Sequence, residues 1–135
     1  MTVRAKILLV DDDQDLVAVL RTVLEKANYE VVSAFSGAEG LSLARTQKPD
    51  LIILDVMLET ENTGFQVCQK LKSDPSLGRV PVLFLSCIRT KRGGWCPRGC
   101  GVEGMAADDF ADKPIRPSDL LARVQNLLQR RPGPS

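Results

Sequence analysis

The chain has 135 residues, 44% of them apolar and 26% charged, with a formal net charge of +1. That length suits one domain with a real core, and the balanced charge gives no electrostatic case for binding nucleic acid or an anionic membrane. Histidine is absent, which removes histidine-based catalysis and the commonest metal ligand. The longest apolar runs, LIIL and VLFL, are far too short to cross a bilayer, so no membrane insertion is expected. The opening MTVRAKILLVDDD lacks the long apolar segment and small-residue cleavage site of a secretory leader. A cytoplasmic location follows as the expectation, in which the four cysteines are thiols or ligands and not structural disulfides.

The first predicted element is a strand over Lys6–Val10, KILLV, which runs straight into Asp11, Asp12 and Asp13. Leu16, Leu20, Val23, Leu24 and Ala27 then recur at helical spacing, with Asp13 as the cap or first-turn carboxylate of that helix. A second strand is predicted over 31–35, followed by a helix through Ala38, Leu41 and Ala44 that Pro49 closes. The third strand, LIIL at 51–54, ends at Asp55. Val67 and Leu71 mark a third helix, on which Cys68 reads as core. The fourth strand, VPVLFL at 80–85, ends at Ser86, and a short fifth segment, Asp109–Asp112, delivers Lys113. A last helix opens at Pro117, carries Asp119 and repeats Leu120, Val124 and Leu127. The first, third and fourth strands are continuously apolar, as strands covered on both faces must be. This alternation implies an α/β fold, a parallel sheet with right-handed crossovers and helices on both faces. One domain is expected over 1–129, with RRPGPS at 130–135 as a disordered tail.

In such a sheet, ligands bind beyond the carboxyl ends of the strands, where the winding reverses. Adjacent strand ends there bring Asp11, Asp12 and Asp55 to one spot. Carboxylates held that close repel one another, and a divalent cation relieves the repulsion. Hard oxygen ligands with open positions suit Mg²⁺. The hydroxyl of Ser86 and the ammonium of Lys113 complete a set that suits phosphoryl transfer onto a carboxylate. That chemistry needs positioning and charge neutralisation more than it needs covalent help.

The runs VDDD at 10–13, LIILD at 51–55, VLFLS at 82–86 and DKP at 112–114 together resemble one known family, the receiver domains of two-component response regulators. The resemblance covers the chain apart from its tail and the 89–107 stretch. It implies a flavodoxin-like, doubly wound sheet of five parallel strands in the order 2-1-3-4-5, with Mg²⁺ as cofactor. Position by position, it implies that Asp55 is the phosphoacceptor and that Asp12 binds the metal directly. Asp11 would bind it through water, with Asp55 and the backbone carbonyl of Met57 completing the metal site. Ser86 matches the switch hydroxyl that follows the phosphoryl group, and Phe110 the aromatic switch residue. Lys113 matches the lysine that pairs with the acceptor carboxylate and then with the phosphate. Asp55, Ser86 and Lys113 are thus the residues implied in the transfer itself. A sensor histidine kinase or phosphotransfer protein is implied as donor and a downstream protein as target, with the domain a monomer or weak dimer. The same resemblance places Met57 and Ile88 where a hydrolytic water would be oriented, and both are apolar.

The chain departs from the family pattern in two places. Glu59 stands where receivers usually carry a proline, and Gly64 lies one residue further from the acceptor than is usual. The segment GGWCPRGCGVEG at 93–104 stands where receivers carry their fourth helix. Glycine costs about 1 kcal/mol and proline about 3 kcal/mol at a helix interior position, so an irregular loop is expected to replace or shorten that helix. Cys96 and Cys100 are spaced x₃ with no histidine to join them, which disfavours a zinc site. Lys91, Arg92 and Arg98 nearby favour thiolate, which makes Cys96 and Cys100 a candidate redox pair. The preferred reading is a plain loop anchored by Trp95.

Three functions compete. The leading one is a single-domain response regulator that takes a phosphoryl group on Asp55 and switches partner binding. The alternative is a phosphorylation-independent interaction module with a redox-responsive cysteine loop, against which the complete acid pair, acceptor, serine and lysine argue. An aspartate-nucleophile phosphatase needs a second aspartate two positions after the first. Met57 stands there, so the chain is read as a phosphoacceptor and not an enzyme.

Overall fold

A computed structural model describes residues 5–55, 63–78, 80–86, 109–112 and 115–130. The described elements run β1 (Lys6–Val10), α1 (Gln14–Lys26), β2 (Glu30–Ala34), α2 (Gly37–Gln47), β3 (Leu51–Asp55), α3 (Thr63–Ser73), β4 (Val82–Ser86), β5 (Asp109–Asp112) and α4 (Pro117–Arg130). The strands pair in parallel in the order β2-β1-β3-β4-β5, the expected flavodoxin-like topology. The winding reverses between β1 and β3, since β2 lies on one side of β1 and all later strands on the other.

Successive residues of a strand point to opposite faces of a sheet, and the two cores follow that alternation. On one face Leu8, Val10, Ile52, Leu54 and Phe84 pack with Ala44 of α2 and with Val67 and Leu71 of α3. On the other, Ile7, Leu9, Ile53, Leu83 and Leu85 pack with Val17, Leu20 and Leu24 of α1 and with Leu120, Val124 and Leu127 of α4. Strand positions covered on both sides must be apolar, which is why ILLV at 7–10 and LIIL at 51–54 carry no alternation. Burying each such side chain contributes about 1.5–3 kcal/mol, so these four helices are held mainly by their apolar stripes. Helix α2 sits especially close to β1. A Cβ on Gly40 would lie 2.9 Å from both γ-carbons of Val10.

The helix starts follow local chemistry. Asp13 caps α1 as expected, its carboxylate accepting the N–H of Leu16 at 3.1 Å. At α2, Ser36 Oγ accepts the N–H of Glu39 at 3.1 Å, while the Glu39 carboxylate accepts the N–H of Phe35 at 2.9 Å. This is a capping box shifted back by one residue. It takes Phe35 out of the sheet, so β2 covers Glu30–Ala34 and not 31–35. The fourth strand also starts later than expected, at Val82. Val80 spends its N–H on Leu77 in the preceding turn at 3.0 Å, and Pro81 has none to give. The third strand reaches one residue further and includes Asp55 itself.

Pro117 opens α4 as expected, and α4 ends at Arg130, the residue at which the tail was placed. Residues 131–135 and the 89–107 stretch with its expected loop lie outside the described residues.

Candidate functional site

Strand register brings the acids together. Val10 of β1 is level with Leu54 of β3, so the next residues, Asp11 and Asp55, leave adjacent strands side by side, about 4.8 Å being the usual strand spacing. Asp11 continues the ladder past the end of β1, its N–H donating to the carbonyl of Ala34 at 3.1 Å. Its Oδ1 accepts the N–H of Asp13 at 2.9 Å. The chain bends at Asp12, which is exposed. Asp11 and Asp55 are only 4% and 5% exposed, and among the described residues they are the buried charged ones.

One carboxylate oxygen from each of Asp11, Asp12 and Asp55 lies within 4.8 Å of the other two. On an octahedral Mg²⁺ with oxygens at about 2.0–2.1 Å, neighbouring ligands lie about 3 Å apart and opposite ones about 4.2 Å, so the trio would have to draw in to share one ion, or reach it partly through water. The donors are all hard oxygens, the kind Mg²⁺ prefers. Burying carboxylates is expensive unless they are paired, and a cation held here would add to that pairing.

The other expected site residues are placed as far as their backbones go. Asp55 is level with Leu85 of β4, which puts the backbone of Ser86 at the carboxyl end of the neighbouring strand. Ser86 is level with Asp112, and Phe110 with Phe84. Met57, Ile88, Cys96, Cys100 and Lys113 lie outside the described residues. A shallow groove of about 590 Å³, lined by Arg45, Gln69, Lys70, Ser73, Asp74 and Pro75, lies where α2 and α3 end, away from the acids.

Arg123 was not singled out from sequence. Its Nη1 donates to both carboxylate oxygens of Asp109 at 2.9 and 3.0 Å, and its Nε donates to Asp119 at 3.2 Å. Burial alone would lower the guanidinium pKa, but the bonds and charges of the two aspartates outweigh it and raise the value. The Asp119–Arg123 pair is legible as an i,i+4 spacing on a helix. Asp109 is 14 residues away, beyond any local pattern.

The comparisons with known proteins agree with this geometry. The family model for response regulator receiver domains matches residues 7–125. The alkaline phosphatase synthesis transcriptional regulatory protein PhoP of Bacillus subtilis (strain 168) is 39% identical over 125 residues, which are 93% of this chain and 49% of that protein. A response regulator from Chloroflexus aurantiacus J-10-fl has a TM-score of 0.83 at 34% identity, over 95% of this chain and 100% of that one. The chemotaxis response regulator CheY4 of Vibrio cholerae has a TM-score of 0.81 at 27% identity, over 93% and 99%. The chain spans about half the length of the curated relatives it matches. With its acids clustered at the reversal of a five-stranded parallel sheet, the chain belongs to the response regulator receiver domain family.

Proposed function

We propose that this domain is a phosphorylation switch in which Asp55 takes a phosphoryl group from a sensor histidine kinase or a phosphotransfer protein, Mg²⁺-dependently, and thereby changes its binding to a downstream protein. The observation that carries the reading is the burial of Asp55 at a strand end with oxygens of Asp11 and Asp12 within 4.8 Å. A nucleophilic carboxylate needs to be aimed and shielded from bulk water, and this position supports both; a bound cation would favour its ionised form against the neighbouring acids.

In the transfer, a carboxylate oxygen of Asp55 bonds to phosphorus as the P–N bond to the donor's imidazole breaks, and the bonding pair leaves with the imidazole nitrogen. When bound, Mg²⁺ supplies charge neutralisation for the phosphoryl oxygens and the acids. Asp11, Asp12 and Asp55, with the carbonyl of Met57, would hold that ion. Lys113 pairs its ammonium with the Asp55 carboxylate before transfer and with the phosphate afterwards. Ser86 donates its hydroxyl to the phosphoryl group, and Phe110 follows that movement. The domain's chemistry is confined to its own phosphorylation and the loss of that phosphate.

The test is incubation of the purified chain with acetyl phosphate, with Mg²⁺ or with a chelator, followed by intact-mass measurement. A gain of one phosphoryl group in Mg²⁺ and none in chelator is expected. Equal labelling in both, or none in either, contradicts the reading.

A further inference from the structure

β5 is an edge strand of four residues, and the chain continues from its last residue, Asp112, directly into Lys113. An edge strand has a ladder on one side only, so side-chain ties have more influence on where its ends lie. Among the described residues, two such ties are present. Ala111 is buried in the core that α1 and α4 cover, and at the first residue of the strand Asp109 receives Nη1 of Arg123 on both carboxylate oxygens, at 2.9 and 3.0 Å. The Arg123 guanidinium is itself held from a second side, by Asp119 at 3.2 Å. Because its donors form a rigid planar fork, holding it at two points fixes its orientation. Helix α4, which carries both Arg123 and Asp119, is anchored to the sheet by the fully buried Leu120 and Val124. The clasp therefore refers the start of β5 to a rigid helix.

We propose that Arg123 is a positioning residue for phosphoryl transfer: by clasping Asp109 to α4 it fixes β5 along β4 and so sets the point from which Lys113 leaves the sheet. This rests on the reading of Lys113 as the lysine that pairs with the acceptor and its phosphate. The side chains of Arg123 and Asp109 keep about a third of their surface in water, 32% and 27%, and pairs that open add little to stability. The contribution of the clasp is geometric, and its loss registers in rate more than in unfolding.

The test compares wild type, Arg123→Met, Lys113→Ala and the double variant. Three quantities are read: the rate of labelling by acetyl phosphate in saturating Mg²⁺, the Mg²⁺ affinity by calorimetry, and Tm. Methionine keeps an apolar stem and removes the fork. Arg123→Met should label about tenfold more slowly, inside the ~100-fold that a 1 Å misplacement can cost. Its Mg²⁺ affinity should be that of wild type, since the acids stand at the ends of β1 and β3. In the Lys113→Ala background the same change should slow labelling no further, as expected of two residues acting through one contact. Wild-type labelling by Arg123→Met, or equal slowing in both backgrounds, overturns the proposal. Failure of the wild-type chain to label at all overturns the phosphoacceptor reading itself, and this proposal with it.

Discussion

The backbone N–H of Asp13 donates to Oδ1 of Asp11 at 2.9 Å, while the carboxylate of Asp13 turns the other way and accepts the N–H of Leu16 at 3.1 Å. Two acids of one run thus divide the work, Asp13 starting α1 and Asp11 lying beside Asp55. Losing an N-cap aspartate costs about 1 kcal/mol. Asp13→Ala should therefore lower Tm by about 3–5 °C and still take up label on Asp55, because its backbone N–H remains. Denaturation melts and intact-mass labelling of the variant check both halves. Loss of labelling at unchanged Tm would show that the Asp13 carboxylate belongs to the site.

Lys48 ends α2 in the left-handed region at φ 50°, its N–H bonded to the carbonyl of Ala44. A side chain there costs about 1–2 kcal/mol, and glycine avoids that cost while giving back about 0.5–1 kcal/mol in unfolded-chain entropy. Lys48→Gly should raise the stability by about 0.5–1 kcal/mol, read as a higher urea midpoint at unchanged m-value. A lower midpoint would contradict the strain assigned to this cap.

Much of this structure was legible because the relevant signals are short. The apolar runs ILLV and LIIL need cover on both faces, and that need located β1 and β3. The acid cluster was legible because topology places strand ends at one edge of the sheet, whatever the loops do. Phe35 misled because its apolar side chain extends the strand pattern, whereas the Ser36 and Glu39 spacing that removes it from β2 was present in the sequence and outweighs it. Val80 misled for the same reason, its side chain matching a strand while its N–H closes a turn. The Arg123–Asp109 clasp was out of reach, since nothing local joins the start of β5 to the second turn of α4.

The turn between α3 and β4 carries a titratable anchor. Asp74 accepts the Oγ–H and N–H of Ser76 at 2.8 and 2.9 Å, and chiefly these bonds, with a lesser contribution from Arg45, hold its carboxyl below the ordinary value of 3.8. The stability this provides is fully present above that value and is lost as pH falls through the lower folded-state value. Asp74→Asn should therefore lower the neutral-pH urea midpoint slightly and flatten the acid limb of stability below pH 3.8, so that the two proteins converge as pH falls. Urea midpoints across the acid range test this, and parallel limbs for the two proteins would contradict it.

On the proposed function, the family resemblance that sets Met57 and Ile88 at the pocket mouth bears on the lifetime of the phosphorylated state. Neither side chain can orient or deprotonate a water beside the phosphoryl group, and a positioned proton acceptor typically contributes a factor of about 10²–10⁴. Loss of label in Mg²⁺ without a donor should take many minutes or longer, and Met57→Asn or Ile88→Glu should shorten it. Decay within seconds, or no acceleration in either variant, would contradict this view of the pocket mouth.

The most direct test of the central claim is to locate the phosphoryl group. Wild-type chain and Asp55→Asn, each labelled with acetyl phosphate in Mg²⁺, are treated with borohydride, digested and sequenced by mass spectrometry. Reduction of the acyl phosphate converts the acceptor aspartate to homoserine. The account predicts that conversion at Asp55 alone in the wild-type chain and no stoichiometric labelling of the variant, which keeps the shape of the side chain but loses the ionised nucleophile. Label at Asp11 or Asp12, or stoichiometric uptake by Asp55→Asn, would contradict it.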